Sequence, residues 1–314
     1  MLLNIILLIL GFAILIKGAD IFVDGASSVA QNFKISKMLI GLTIVAFGTS
    51  APEFAVSVTS MINNSGDIVL GNVIGSNILN ILLILGIASL FHDLKVQVNT
   101  VTKEIPFLIL STILLVVLMN DKFLNGMNNI ITRSDGLIIL LFFIIFVYYL
   151  FSIMSSKQYK EYVEPKFELK KSIIYTCLGI ACIILGSNFV VKNASSIASI
   201  LGISERIIAL TIVALGTSLP ELVTSVIAAK KGECDIAIGN VVGSNIFNIG
   251  IVLGIPITLF GSVNVAAFGI VDIIFFILSA ILLYIFSRSG HKIRKKEGII
   301  LLMCFVIYYA LVII

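Results

Sequence analysis

The stretch LTIVAFGTSAPE at residues 42–53 occurs again, with two changes, as LTIVALGTSLPE at 210–221. The separation of 168 residues also brings GNVIGSNILNI (71–81) onto GNVVGSNIFNI (239–249). Sliding the chain on itself by that offset aligns 10–86 with 178–254 without a gap, and 38 of the 77 pairs are identical. Apolar bias alone would match roughly one pair in ten, so the chain is a duplicate. The offset also pairs Glu104 with Asp272, and a shifted match pairs Asp135-Gly136 with Glu297-Gly298.

Each repeat is set in apolar sequence. Of 314 residues 59% are hydrophobic and 12% charged, with a mean hydropathy of +1.15. A soluble domain carries about 25% charged residues, so this chain is expected in a bilayer; nucleic-acid binding and cytosolic catalysis are excluded as readings. Cys177, Cys182, Cys234 and Cys304 form no C-x-x-C pair, and His92 and His291 stand apart, which argues against zinc or a disulfide framework. The first apolar run lacks a basic leader and reads as a permanent span. Polar breaks divide the chain into ten expected helices at 2–30, 36–62, 68–90, 104–120, 134–153, 171–200, 204–229, 235–260, 265–287 and 297–314. The fold class expected is therefore all-α integral membrane, with residues 1–153 as a first five-helix repeat, 154–170 as a linker and 171–314 as a second. Odd-numbered loops hold 16 Lys and Arg against four in the even-numbered loops, so both termini are expected outside and the linker in the cytoplasm. Five spans per repeat invert the second relative to the first, and in such designs the substrate site lies where the repeats meet near the midplane.

Glu53 and Glu221 fall mid-span within TS-x-P-E. A carboxylate at that depth costs about 2.5–3.5 kcal/mol on insertion scales and faces a partner or a watery cavity; the alternative is a protonated packing carboxyl. Pro52 and Pro220 withhold an N–H from the carbonyls of Gly48 and Gly216, and are expected to free carbonyls near Ala46 and Ala214 as well. Thr49 and Ser50 lie within a turn of Glu53, and Thr217 and Ser218 within a turn of Glu221. The second motif adds polar stripes, Asn72, Ser76 and Asn80 in one repeat and Asn240, Ser244 and Asn248 in the other. Asn72 and Asn240 could tie helix to helix or bind a ligand; Asn80 and Asn248 read as ligands. The G-x-x-x-G pairs at Gly71/Gly75 and Gly239/Gly243 suggest close helix packing. Oxygen donors without His or Cys favour Ca²⁺, Na⁺ or Mg²⁺, and flexible mixed ligands suit Ca²⁺ better than Mg²⁺. Two carboxylates match one Ca²⁺ or two monovalent ions.

GTSAPE, GTSLPE and the two GN-x-x-GSN-x-x-N segments resemble the α-repeats of the Ca²⁺/cation antiporter superfamily, most closely its prokaryotic sodium/calcium exchanger branch. The resemblance implies an inverted-repeat antiporter that exchanges Ca²⁺ for Na⁺ by alternating access, with the first and sixth helices as a sliding pair. It implies that Glu53 and Glu221 bind Ca²⁺ together with the carbonyls of Thr49 and Thr217. By the same resemblance Ser50, Ser76, Ser218 and Ser244, with the carbonyls of Ala46 and Ala214, build sodium sites, and Asn80 and Asn248 line the centre. Some members have an aspartate where this chain has Asn248, including the potassium-dependent branch, so the resemblance argues against potassium co-transport. The GN-x-x-E motifs of the proton-coupled branch are absent.

Beyond the lipid bilayer and the two ions, the reading calls for no cofactor, nucleic acid or obligate protein partner. Its alternatives are a Ca²⁺/H⁺ or other divalent cation antiporter and, more remotely, an intramembrane hydrolase or a cation channel. Asp20 and Asp24 read as interfacial charges rather than an ion path, and Glu104 and Asp272 as interface-facing helix starts. Asn63 and Asn193 head glycosylation sequons that carry little information.

Overall fold

A computed structural model describes the chain except residues 64, 122–125, 127–128, 156–163, 203–213, 266–268 and 314. The first half runs α1 (Leu2–Phe33), α2 (Lys37–Thr49), α3 (Ala51–Ile62), α4 (66–91), α5 (Thr100–Leu118) and α6 (Arg133–Ser155). The second runs α7 (Leu169–Ile200), α8 (Ala214–Thr217), α9 (Leu219–Lys230), α10 (Cys234–Phe260), α11 (Ile270–Arg288) and α12 (Lys295–Ile313). Among the described residues seven helices are long and apolar enough to cross a membrane, or eight when α2 and α3 count as one bent span. The start of the helix expected at 204–229 lies outside the described residues, as does the middle of the linker.

The expected single helix at 36–62 is two helices that meet at a 46° bend. Ser36 caps α2, its Oγ accepting the Leu39 N–H at 3.1 Å. Ser50 leaves the helix with φ −81° and ψ 7°, and α3 starts beyond it with Pro52 in its first turn. Ser218 repeats the break with φ −89° and ψ 6° ahead of Pro220. Proline suits a first turn, where its missing N–H has no helical carbonyl to serve. The break is thus written into S-x-P in both repeats.

α1 and α7, 32 residues each, would extend about 48 Å at 1.5 Å per residue, well beyond a hydrocarbon core of about 30 Å. They pack antiparallel along a seam of glycines. A Cβ at Gly25 would stand 2.6 Å from the Thr176 nitrogen, one at Gly18 2.7 Å from Cys182 Cβ, and one at Gly186 2.6 Å from the Leu15 nitrogen. α4 and α10 are the most enclosed spans. In place of an uninterrupted α-helix each contains one π-helical stretch, Asn80–Leu85 and Asn248–Leu253, at positions 168 residues apart.

The halves interlock. β1 (Leu94–Lys95) pairs with β4 (Lys292–Ile293), and β2 (Ile130–Ile131) pairs with β3 (Val263–Asn264), both antiparallel and both joining one half to the other. Gly136 of α6 lies against α10, where a Cβ would meet the Gly254 carbonyl at 3.2 Å; Gly298 of α12 lies against α4, where a Cβ would meet the Gly86 carbonyl at 2.9 Å. The last helix of each half therefore packs on the third span of the other.

Candidate cation site

The two breaks place Glu53 and Glu221 in the first turns of α3 and α9. Both side chains are buried, at 1% and 0% exposure. A helix N-terminus carries partial positive charge that favours a carboxylate, while the C-terminal carbonyls of α2 and α8 on the other side of each break favour a cation.

The hydroxyls beside the breaks cross between halves. Ser50 Oγ donates to Glu221 Oε1 at 2.9 Å, and Ser218 Oγ donates to Glu53 Oε1 at 3.3 Å. Asn77 Nδ2 donates to the Asn245 carbonyl at 3.2 Å, and Asn245 Nδ2 to the Asn77 carbonyl at 3.1 Å. Asn80 Nδ2 donates to Asn245 Oδ1 at 2.9 Å, and Asn248 Nδ2 to Asn77 Oδ1 at 3.1 Å. Every one of these pairs maps onto the other by a shift of 168. That reciprocity is the signature of a two-fold relation, in which a patch on one unit meets its own twin.

The asparagine bonds orient the site. An amide side chain donates through nitrogen and accepts through oxygen, so anchoring the nitrogens of Asn80 and Asn248 turns their oxygens the other way. Asn80 Oδ1, Asn248 Oδ1, Glu53 Oε2 and Glu221 Oε2 are all buried without a hydrogen-bond donor, and Ser244 Oγ joins them. A buried polar atom left unpaired costs about 1–3 kcal/mol, and more when charged. α3, which carries Glu53, packs on the π-stretch opened by Asn248, and α9, which carries Glu221, on that opened by Asn80. No cluster of three or more His, Cys, Asp or Glu suited to a metal occurs among the described residues. The donor set is instead carboxylate, amide and hydroxyl oxygen, the chemistry of a hard cation that exchanges its ligands easily.

Other expected ligands have protein partners. Thr49 Oγ1 donates within its own helix to the Val45 carbonyl at 3.1 Å and lies 3.0 Å from Asn240 Oδ1. The Ala46 carbonyl, expected to be freed by Pro52, receives the Ser50 N–H at 3.0 Å, because the break falls one residue too late to strip it. A carbonyl has a second lone pair, so this bond leaves it able to face an ion. Ser76 Oγ donates to the Val73 carbonyl at 3.2 Å and accepts Asn248 Nδ2 at 3.0 Å. Thr217 ends α8 at the matching break, and the Gly216 carbonyl before it accepts Ser187 Oγ at 3.1 Å. Ala214 opens α8; its side chain lies outside the described residues.

Asn72 and Asn240 tie helix to helix. Asn72 Nδ2 donates to the Glu53 carbonyl at 3.0 Å and to Ser57 Oγ at 3.2 Å; Asn240 Nδ2 donates to the Glu221 carbonyl at 3.4 Å and to Ser225 Oγ at 2.9 Å. Asn77 and Asn245 were not anticipated, although each is repeated within GSN next to the polar stripe. Glu104 is buried, accepting the Tyr149 hydroxyl, rather than facing the interface; Asp272 accepts the Tyr308 hydroxyl at 2.9 Å. Asn193 is buried within α7 and donates to the Phe189 carbonyl at 2.7 Å, which removes it as a glycan acceptor.

The family model described as sodium/calcium exchanger protein matches residues 3–152 and 171–314. CaxA of Alkalimonas amylolytica, a provisional antiporter by name, is 40% identical, the match covering 98% of each chain. The sodium/calcium exchanger MaX1 of Methanosarcina acetivorans is 33% identical over 97% of each chain. A solved structure of the sodium-calcium exchanger NCX_Mj superposes with a TM-score of 0.84 at 32% identity, covering 98% of both chains.

Proposed function

The chain belongs to the sodium/calcium exchanger family, a family of transporters embedded in membranes, and from that premise we propose that it exchanges Ca²⁺ for Na⁺ by alternating access. The observation that carries this reading is the set of four buried oxygens without donors, Glu53 Oε2, Glu221 Oε2, Asn80 Oδ1 and Asn248 Oδ1, supplied equally by the two halves. Ca²⁺ takes six to eight oxygens; the carbonyls of Thr49 and Thr217 at the helix breaks add two to those four. Na⁺ carries one charge and needs no carboxylate of its own, so the hydroxyls of Ser50, Ser218, Ser76 and Ser244, with the Ala46 and Ala214 carbonyls, suit it.

Exchange follows from charge. When Ca²⁺ departs, two carboxylates remain buried, and ionised groups away from water are costly unless paired. Entering Na⁺ ions relieve that cost, so the site crosses the membrane loaded with one ion or the other. The reciprocal bonds support two repeats related by a two-fold axis, and the Lys and Arg distribution supports ten spans in inverted repeats with both termini outside and 154–170 in the cytoplasm. The glycine seam supports α1 and α7 as a unit that slides against the remaining helices.

The test is ⁴⁵Ca²⁺ uptake into proteoliposomes loaded with Na⁺ and diluted into Na⁺-free buffer, beside K⁺-loaded and pH-jump controls. Uptake that requires internal Na⁺ is expected. Uptake driven by the pH jump alone would replace Na⁺ with H⁺ as the driving ion, and flux that persists without a counter-ion would indicate a channel.

A further inference from the structure

An open cleft of about 550 Å³ lies between α1 and the end of α9. Ile16 and Ile227 form its apolar wall, and Lys17, Lys230 and Lys231 stand around it with Asp20. Lys17 Nζ lies 2.9 Å from Asp20, and Lys231 Nζ bridges Asp20 and Asp24 at 2.7 Å each. Lys166, arriving from the linker, takes the other oxygen of Asp24 at 2.7 Å. Lys230 takes no part in these bridges. Among the described residues it has no carboxylate at ion-pair distance, and its ammonium stands 4.2 Å above the Phe91 ring. Four ammonium groups thus surround two carboxylates.

The bridges fix the depth of this surplus. Lys231 follows the last residue of α9, so Asp20, which it holds, lies at the membrane surface, and Lys17 one turn further in. The Lys17 side chain is 73% exposed, and its ammonium, paired with Asp20, keeps donors on the side that faces the headgroups. Excess positive charge at headgroup level above an apolar wall is complementary to a phosphate that carries acyl chains. A zwitterionic headgroup brings a cation of its own into a cleft already rich in them, and a free phosphate has nothing to lay along Ile16 and Ile227.

We infer that this cleft binds an anionic phospholipid, with Lys17 and Lys230 holding its phosphate. The lipid would touch both α1 and α9, adding a joint to the two that Lys231 already makes. The inference stands on the cleft alone, whichever ions are exchanged.

The experiment is native mass spectrometry of the purified full chain, titrated with phosphatidylglycerol or with phosphatidylcholine of the same acyl chains. Phosphatidylglycerol should saturate the chain at the lower concentration. Each lysine near the surface is worth about fivefold in such binding, so Lys17→Gln with Lys230→Gln should weaken phosphatidylglycerol about twenty-five-fold and leave phosphatidylcholine unchanged. Lys230→Gln alone, a change to an exposed helix end, should cost about fivefold and serves if the double variant does not fold. Lys295→Gln with Lys296→Gln removes equal charge elsewhere and should change nothing. Equal retention of the two lipids, undiminished phosphatidylglycerol binding in folded variants, or an equal loss in the Lys295/Lys296 control would overturn the inference. So would inorganic phosphate binding as tightly as phosphatidylglycerol, since the acyl chains would then contribute nothing.

Discussion

Ser76 and Ser244 occupy the same place in duplicated sequence, yet their hydroxyls differ. Ser76 Oγ donates to a carbonyl and accepts from Asn248, whereas Ser244 Oγ is buried with no partner. Their neighbours differ correspondingly: Asn248 Nδ2 divides its donors between Ser76 and Asn77, and Asn80 Nδ2 serves Asn245. Around this mismatch the crossed serine–glutamate and asparagine–asparagine bonds repeat faithfully. Duplication therefore copies the bonds that hold the helices together more strictly than those that satisfy the hydroxyls. Two sites of one sequence need not have one affinity, and Ser244 offers an oxygen that Ser76 has already committed.

The largest effect should fall on what the halves share. Glu53→Gln and Glu221→Gln should each abolish ⁴⁵Ca²⁺ uptake in proteoliposomes; substantial exchange by either one would break the equivalence of the two carboxylates. Next come Asn77→Ala and Asn245→Ala. Each removes buried bonds that span the halves and releases the amide of Asn248 or Asn80, at a cost of about 1–3 kcal/mol. Thermal melts in detergent should fall similarly for both, and unequal melts would locate a difference in the framework itself.

Alanine at the two serines sharpens the contrast. Ser76→Ala strips a partner from Asn248 and should cost about 1 kcal/mol, whereas Ser244→Ala loses no bond and should melt no lower than wild type. The same Ser244 variant should need more Na⁺ to drive uptake, and an unchanged Na⁺ dependence would remove this hydroxyl from the site. The smallest effect belongs to Asp24, whose counterpart at the 168-residue offset is Lys192. Asp24→Asn unpairs Lys166 and leaves Lys231 with Asp20 alone at an exposed rim, and should cost under about 1 kcal/mol, less still in high salt. Asp24 holds the Lys166 ammonium above its ordinary pKa. That small contribution is therefore present at neutral pH and is lost as alkali deprotonates Lys166; melts compared at neutral and alkaline pH should show the wild type and Asp24→Asn converging.

The repeat made much of this legible. TS-x-P-E announced lost helical bonds and both buried acids, because proline acts locally and a charge amid apolar residues needs a reason, although each span was expected as one helix and not as two. The exchanged bonds were not legible, since Asn77 and Asn245 acquire meaning only when the halves meet and no periodicity marks them. The π-helical stretches at Asn80 and Asn248 were equally hidden, as NILLIL and NIGIVL read as ordinary helix. Glu104 looked like a surface residue at a span's start until Tyr149, 45 residues away, covered it. Even the proline argument overreached at Ala46, where one residue decides whether a carbonyl is stripped or kept.

The exchange of last helices bears on how the chain is made. When a ribosome has delivered residue 153, α4 is complete but the helix that will close on its Gly86 has yet to be synthesised, and α6 has no Gly254 surface on which to rest. The early half must wait in the membrane with Asn77 and Asn80 unpartnered until Asn245 arrives, and with Gly86 uncovered until Gly298 does. Assembly thus depends on the last tenth of the chain, and a truncation there would be felt first in the half that was finished long before.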